Sequence, residues 1–274
     1  MAPVEKNRRM SIIWLNGRFM QEAPIFLPGD RIRLGDGVFD TMLAVNGVAV
    51  HANEHFKRLL SHASVLKIKT GWSVSDLKAA TEGLLEQNNF RAGKFVINTV
   101  ITRGPAERGL KLPENPAIQC VMSVSPAPAA FPPVHAVIAN VRRNEGSALS
   151  RIKSCNYGDN ILALAEAEEK SGNEAIMLNN RGDVACAAAS NIFIIRHGKL
   201  LTPPLEDGAL DGITRRNIIK KHGGTETSLS PADLAVSEGI YLTSSVRGVV
   251  AVETLDGKKL PRPSLEIDKE FHLI

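Results

Sequence analysis

The segment SPAPAAFPP, residues 125–133, holds four prolines in nine positions and constrains the fold more than any other stretch of the chain. Each proline fixes its own φ, lacks an N–H donor and pushes the preceding residue toward extended backbone, so neither a helix nor a central strand runs through it. The chain is thereby divided near its middle. We expect a first domain over residues 1–124, a linker over 125–133 and a larger α/β domain over 134–274. A chain of 274 residues is long enough for two modest cores.

Before the prolines, SIIWLNG, LPGD and VFDTMLAVNGVAVH alternate short apolar runs with turn signals, and Asn46-Gly47 between two apolar stretches predicts a hairpin. From Glu54, the residues Phe56, Leu59, Leu60 and Ala63 recur at helical spacing. A second helix is predicted over 74–88, with Ser75 as N-cap and Leu77, Leu84 and Leu85 inward. KFVINTVITRG and AIQCVMSVS read as strands around a loop over 105–116, which makes the first half α+β.

After the prolines, VHAVIANV predicts a strand, and residues 156–170 a helix with Ile161, Leu162, Leu164 and Ala165 toward the core. EAIMLNNRGDVACAAASNIFIIRHGKLLTPP reads as three strands joined by Asn-Arg-Gly-Asp and His-Gly-Lys turns. GITRRNIIKKHGG is a short helix ending in Gly-Gly, ADLAVS is another, and GIYLTSSVRGVVAVETLDGKKL closes with strands and an Asp-Gly turn.

Composition excludes several classes. The 43% hydrophobic and 23% charged residues are those of a folded globular chain. A net charge of +4 is dispersed, without the aromatic-studded basic stripe of a nucleic-acid binder, and a pocket for a small anion accounts for it equally well. Cys120, Cys155 and Cys186 are odd in number and lack CxxC spacing, so we expect no disulfide framework, no metal site and a reducing, cytoplasmic setting. The opening MAPVEKNRRMSIIWLNG has an apolar run too short for a signal peptide or a membrane span, and no later segment is long enough.

Two features carry possible chemistry. Gly212-Ile213-Thr214 at a helix start offers backbone N–H groups and a hydroxyl to an anion, although an ordinary helix cap looks the same. Lys153, in RIKSCNYGDN, sits beside small polar residues where partial burial would favour a neutral, nucleophilic amine; a solvated lysine is the plain alternative.

In order along the chain stand DRIRLGDGVFDTMLAVNG with HANEHFKRL, TRGPAERG, RIKSCNYGDNILALAEA, EAIMLNNRGDVACAAASNIF, GALDGITRR and YLTSSVRGVV. This series resembles the class IV aminotransferases, the family of branched-chain aminotransferases, D-amino-acid aminotransferases and 4-amino-4-deoxychorismate lyases. The resemblance implies a two-domain α+β enzyme of fold type IV that uses pyridoxal 5′-phosphate (PLP). It places the Schiff-base lysine and proton shuttle on Lys153, and phosphate contacts on Arg58, Ile213, Thr214 and one of Ser244 and Ser245. Tyr157 falls near the cofactor ring oxygen, with a packing role as its alternative. Phe39 falls on a pocket wall and Arg108 on a substrate carboxylate, while Leu110 replaces the histidine that would accompany it and Leu34 a residue that is usually aromatic.

One position departs from the family pattern. Where most members carry a glutamate that keeps the pyridine nitrogen protonated, this chain has Cys186, and a neutral thiol cannot stabilise a pyridinium. Asp183, nearby, belongs to the turn. The implied activity is amino transfer between an amino acid of the branched-chain or D class and a 2-oxo acid, in a homodimer. A lyase that releases pyruvate and 4-aminobenzoate is the near alternative, and a non-catalytic PLP-binding scaffold the distant one.

Overall fold

The computed structural model describes residues 11–21, 29–263, 265 and 267; the first ten residues and the Leu27-Pro28 start of the LPGD turn lie outside these. Two compact units, Met1–Ala127 and Pro128–Ile274, divide within the proline-rich segment.

In the first unit, β1 (Ile12–Leu15), β2 (Arg18–Gln21), β3 (Gly37–Val45) and β4 (Val48–Ala49) precede α1 (Ala52–Val65) and α2 (Val74–Gln87). The strands β5 (Lys94–Thr102) and β6 (Gln119–Pro126) follow, so Ser125 and Pro126 end a strand rather than begin a linker. Among the described residues they form a six-stranded antiparallel sheet in the order β2-β1-β6-β5-β3-β4. Asn46 and Gly47 both take positive φ in the β3–β4 turn, the geometry that matches strand twist. The sheet is covered by helices because α1 turns Phe56, Leu59 and Ala63 inward, and α2 turns Leu77, Leu84 and Leu85. Burial of each such leucine contributes about 1.5–3 kcal/mol. The N-cap of α2 is Ser73, not Ser75: Ser73 Oγ accepts from the Asp76 N–H at 3.2 Å while the Asp76 carboxylate accepts from the Ser73 N–H at 2.8 Å. Only a residue three before an acid completes that reciprocal box.

The second unit runs β7 (Val134–Arg143), α3 (Gly158–Glu169), β8 (Glu174–Asn179), β9 (Val184–Ala187), β10 (Asn191–Arg196) and β11 (Lys199–Thr202). It continues with α4 (Ile213–His222), β12 (Thr225–Glu226), α5 (Pro231–Ala235), β13 (Gly239–Ser244), β14 (Gly248–Leu255) and β15 (Lys258–Lys259). Among the described residues eight strands lie in the order β12-β11-β10-β13-β14-β7-β8-β9, with β15 on β14, and the β14–β7, β7–β8 and β11–β12 pairs are parallel. Residues 174–202 thus make four strands rather than three, because Ala188–Ser190 breaks the apolar run between β9 and β10. The α3 helix also corrects the sequence reading. Asn160, Ala163 and Ala167 form its buried stripe, whereas Ile161 and Leu162 are 66% and 60% exposed. Ala163 and Ala167, one turn apart, face β7 and β8, with the half-buried Leu164 packed beside them, while Ala165 is exposed like Ile161 and Leu162.

Candidate active site

Lys153 follows a 3-10 turn, Ala148–Arg151, whose N-cap Ser147 accepts from the Leu149 N–H, and it precedes α3. Its neighbours Ile152 and Ser154 are buried, which fixes the backbone while the lysine itself is half-buried. The Lys153 Nζ donates to the Tyr157 hydroxyl at 3.4 Å and stands 5.5 Å from that ring's centroid. The amine and the phenol are thus brought together by a spacing of four residues.

The start of α4 carries Ile213 and Thr214 behind Gly212, an N-cap with no side-chain hydrogen bond. Its first N–H groups have no intrahelical acceptor, so the helix end suits an anion. Asn191, at the head of β10, sets that end in place: its Nδ2 donates to the Leu210 carbonyl at 2.7 Å. A Cβ on residue 212 would lie 2.0 Å from Asn191 Oδ1, so any other residue would displace the Asn191 amide from the Leu210 carbonyl. Asn191 pairs in register with Thr243 of β13, whose buried Oγ1 has no partner among the described residues. Ser244 Oγ accepts from the Arg247 N–H at 3.3 Å and thereby closes the β13–β14 turn, while half-buried Ser245 makes no such bond. An amine beside a phenol, an uncapped helix N-terminus and an orphaned hydroxyl suit a phosphorylated, carbonyl-bearing anion.

Cys186 lies in β9, inside an apolar cluster with Met177, Ala185 and Ala188. Burial raises its thiol above the ordinary range; the Arg143 charge opposes this and Glu174 adds to it. The side chain is therefore a neutral thiol at physiological pH, with no carboxylate character. Asp183 is engaged in the preceding turn, where it accepts from Arg181 Nε at 3.2 Å.

The first unit carries Phe39, Arg58 and Arg108. Arg58, buried on α1, donates from Nε and Nη2 to the two oxygens of Asp40 at 2.9 and 2.8 Å. His55 Nδ1 lies 2.9 Å from the same carboxylate. Burial alone would raise the Asp40 carboxyl, but hydrogen bonds from His55 and Arg58 together with the guanidinium charge hold it well below the usual range. Since that carboxylate can only accept, His55 Nδ1 carries the proton. Phe39 is half-buried on β3. Arg108 is exposed on the β5–β6 loop, and Arg31 holds that loop by donating to the Gly109 carbonyl at 3.0 Å. Asp36 in turn accepts from Arg31 and Arg103 at 2.6 and 2.7 Å.

Asp40, His55, Asn160 and Asn191 escaped the sequence reading. Asp40 had a signal of its own, a lone acid within the apolar run GVFDTML followed by a histidine and an arginine one helical turn apart. Asn160 and Asn191 had none, because each donates to a backbone carbonyl distant in sequence. Among the described residues no cluster suited to a metal occurs, and no helix is long and apolar enough to cross a membrane.

Comparison with known proteins supplies the family. The family model for amino-transferase class IV matches residues 37–255. A Methanocaldococcus jannaschii protein assigned as a branched-chain-amino-acid aminotransferase is 32% identical over 270 residues, covering 94% of this chain and 93% of its own length. The aminodeoxychorismate lyase of Bacillus subtilis is 28% identical over 249 residues, covering 87% and 85%. In structure, the branched-chain aminotransferase of Thermoproteus uzoniensis, solved with norvaline, has a TM-score of 0.89 at 25% identity, covering 96% of this chain and 92% of that one. The chain therefore belongs to the class IV aminotransferases and is an α+β, PLP-dependent enzyme of fold type IV.

Proposed function

We propose that this enzyme transfers an amino group between an amino acid and a 2-oxo acid, with branched-chain donors first and D-amino acids second. When bound, PLP supplies an aldehyde and an electron-accepting ring. Lys153 holds the cofactor and moves the proton at the substrate α-carbon. The observation that carries this reading is the Lys153 amine, half-buried and 3.4 Å from the Tyr157 hydroxyl on a fixed backbone. Tyr157 orients the amine and the ring oxygen. In the second unit the N–H groups of Ile213 and Thr214 face the phosphate, and Ser244 or Ser245 adds a hydroxyl donor; Arg58 is the phosphate arginine that the family pattern assigns to the first unit. Arg108 receives the substrate carboxylate beside the Phe39 wall, and Leu110 in place of a polar residue favours apolar donors. The branched-chain assignment of the Methanocaldococcus jannaschii relative and the norvaline in the Thermoproteus uzoniensis structure support that choice.

Cys186 favours one second reading. A neutral thiol does not hold a proton on the ring nitrogen, which penalises full amino transfer more than an elimination, and the Bacillus subtilis relative is named a lyase. The purified enzyme should show a visible cofactor band that converts to the shorter-wavelength band of the aminated cofactor with leucine, isoleucine or valine. In Lys153→Ala the lysine-linked band should be absent and turnover should fall by at least about 10³-fold. A band unchanged by every L- and D-amino acid, with pyruvate released from 4-amino-4-deoxychorismate, would establish the lyase instead. Retention of the visible band in Lys153→Ala would displace the lysine from its role.

A further inference from the structure

A single buried guanidinium ties together the segments of the second unit that carry Lys153, Tyr157 and the start of α4. Arg143, the last residue of β7, is 9% exposed. It donates from Nη2 to the Ser150 carbonyl at 2.7 Å, from Nη1 to Asn160 Oδ1 at 3.2 Å and from Nε to the Gly208 carbonyl at 3.3 Å. Ser150 belongs to the 3-10 turn that leads into Lys153, and Asn160 to the first turn of α3, directly after Tyr157. Gly208 caps the short turn from which the chain runs to Gly212. Asn160 passes the restraint on, since its Nδ2 donates to the Ala188 carbonyl at 2.7 Å, just beyond Cys186.

Two further observations distinguish this arginine from an ordinary structural one. Every acceptor is neutral, and among the described residues no carboxylate pairs with it. Arg181 and Arg247, by contrast, each meet an acid, Asp207 and Glu174 respectively. The orientation of Arg143 is therefore fixed by the three segments alone, and their spacing by its planar fork. Gly208 has φ 94°, and a Cβ there would lie 3.1 Å from Arg143 Cγ, so the loop approaches the arginine as closely as glycine permits. A buried cation without an acid is costly, and the position retains one where a neutral residue could have packed.

We infer that Arg143 is a positioning residue for the cofactor site, setting the separation between Lys153 and the phosphate-binding start of α4. This rests on the reading of those two elements as cofactor contacts. Arg143→Lys keeps the charge but loses the fork, and Arg143→Gln loses both. For each variant three quantities separate the possibilities: the dissociation constant of PLP from titrated apoenzyme, the pH midpoint of the visible band, and the melting temperature of the apoenzyme.

The expected result is weaker PLP binding by about tenfold or more and a displaced pH midpoint in both variants. Asn160→Ala should shift both in the same direction but less. A folded Arg143→Lys with wild-type affinity and midpoint would overturn the inference, as would variants that lose only melting temperature. Should both Arg143 variants fail to fold, Asn160→Ala decides: an unmoved affinity and midpoint overturn the inference. A wild-type enzyme that binds PLP without a visible lysine-linked band would instead overturn the role of Lys153, a distinguishable failure.

Discussion

Arg58 shows how much a side chain's meaning depends on what holds it. The sequence places it on a helix with its fork suited to phosphate; the fold gives two of its nitrogens to Asp40, with His55 on the same carboxylate. Such a carboxylate stiffens the arginine and fixes the plane of its guanidinium. In Asp40→Asn the guanidinium loses its charged partner while still buried, and stability should fall by about 3–5 kcal/mol, measured by urea denaturation. Weaker PLP binding in the fraction that folds would show that Asp40 also aims Arg58. Cys186 is the opposite case. Its identity was legible as a departure from the family pattern, but only the surrounding apolar cluster and its burial settle that the thiol stays neutral.

At the level of elements, helix positions were legible because apolar spacing persists over several turns, whereas caps and inward faces were less so. Ser73 and Ser75 both precede the α2 pattern, and only the bond between Ser73 and Asp76 distinguishes them. Ser73→Ala should cost about 1 kcal/mol in a denaturation experiment, against a few tenths for Ser75→Ala. In α3 the apolar count pointed to Ile161, Leu162, Leu164 and Ala165, yet the buried stripe is Asn160, Ala163 and Ala167 with Leu164 packed at its side, while Ile161, Leu162 and Ala165 face outward. The site's scaffolding was least legible of all. Arg143, Asn160 and Asn191 each donate to backbone carbonyls distant in sequence, and a carbonyl leaves no trace in a sequence.

For the whole molecule, titration offers a readout of each unit. Burial lowers the His55 imidazole below its ordinary 6.5, so the unfolded chain takes up that proton as pH falls while the folded chain does not. Stability of the first unit should therefore drop as pH falls below 6.5, and again through 3.8 as the unfolded Asp40 and Asp36 protonate and their folded counterparts do not. Glu174 has the opposite sign: burial raises its carboxyl, with Arg247 opposing, so the folded second unit gains the proton first and is favoured by acid there. Both tryptophans, Trp14 and Trp72, lie in the first unit. The urea midpoint followed by tryptophan emission should fall between about pH 7 and about pH 5, and His55→Gln should flatten that slope. Neighbouring residues were enough to give the order of most elements and the family, because periodicity and local motifs are properties of adjacent positions. Folding alone settled which serine caps α2, which face of α3 is buried and which acid holds Arg58, because each depends on groups that the chain brings together only in three dimensions.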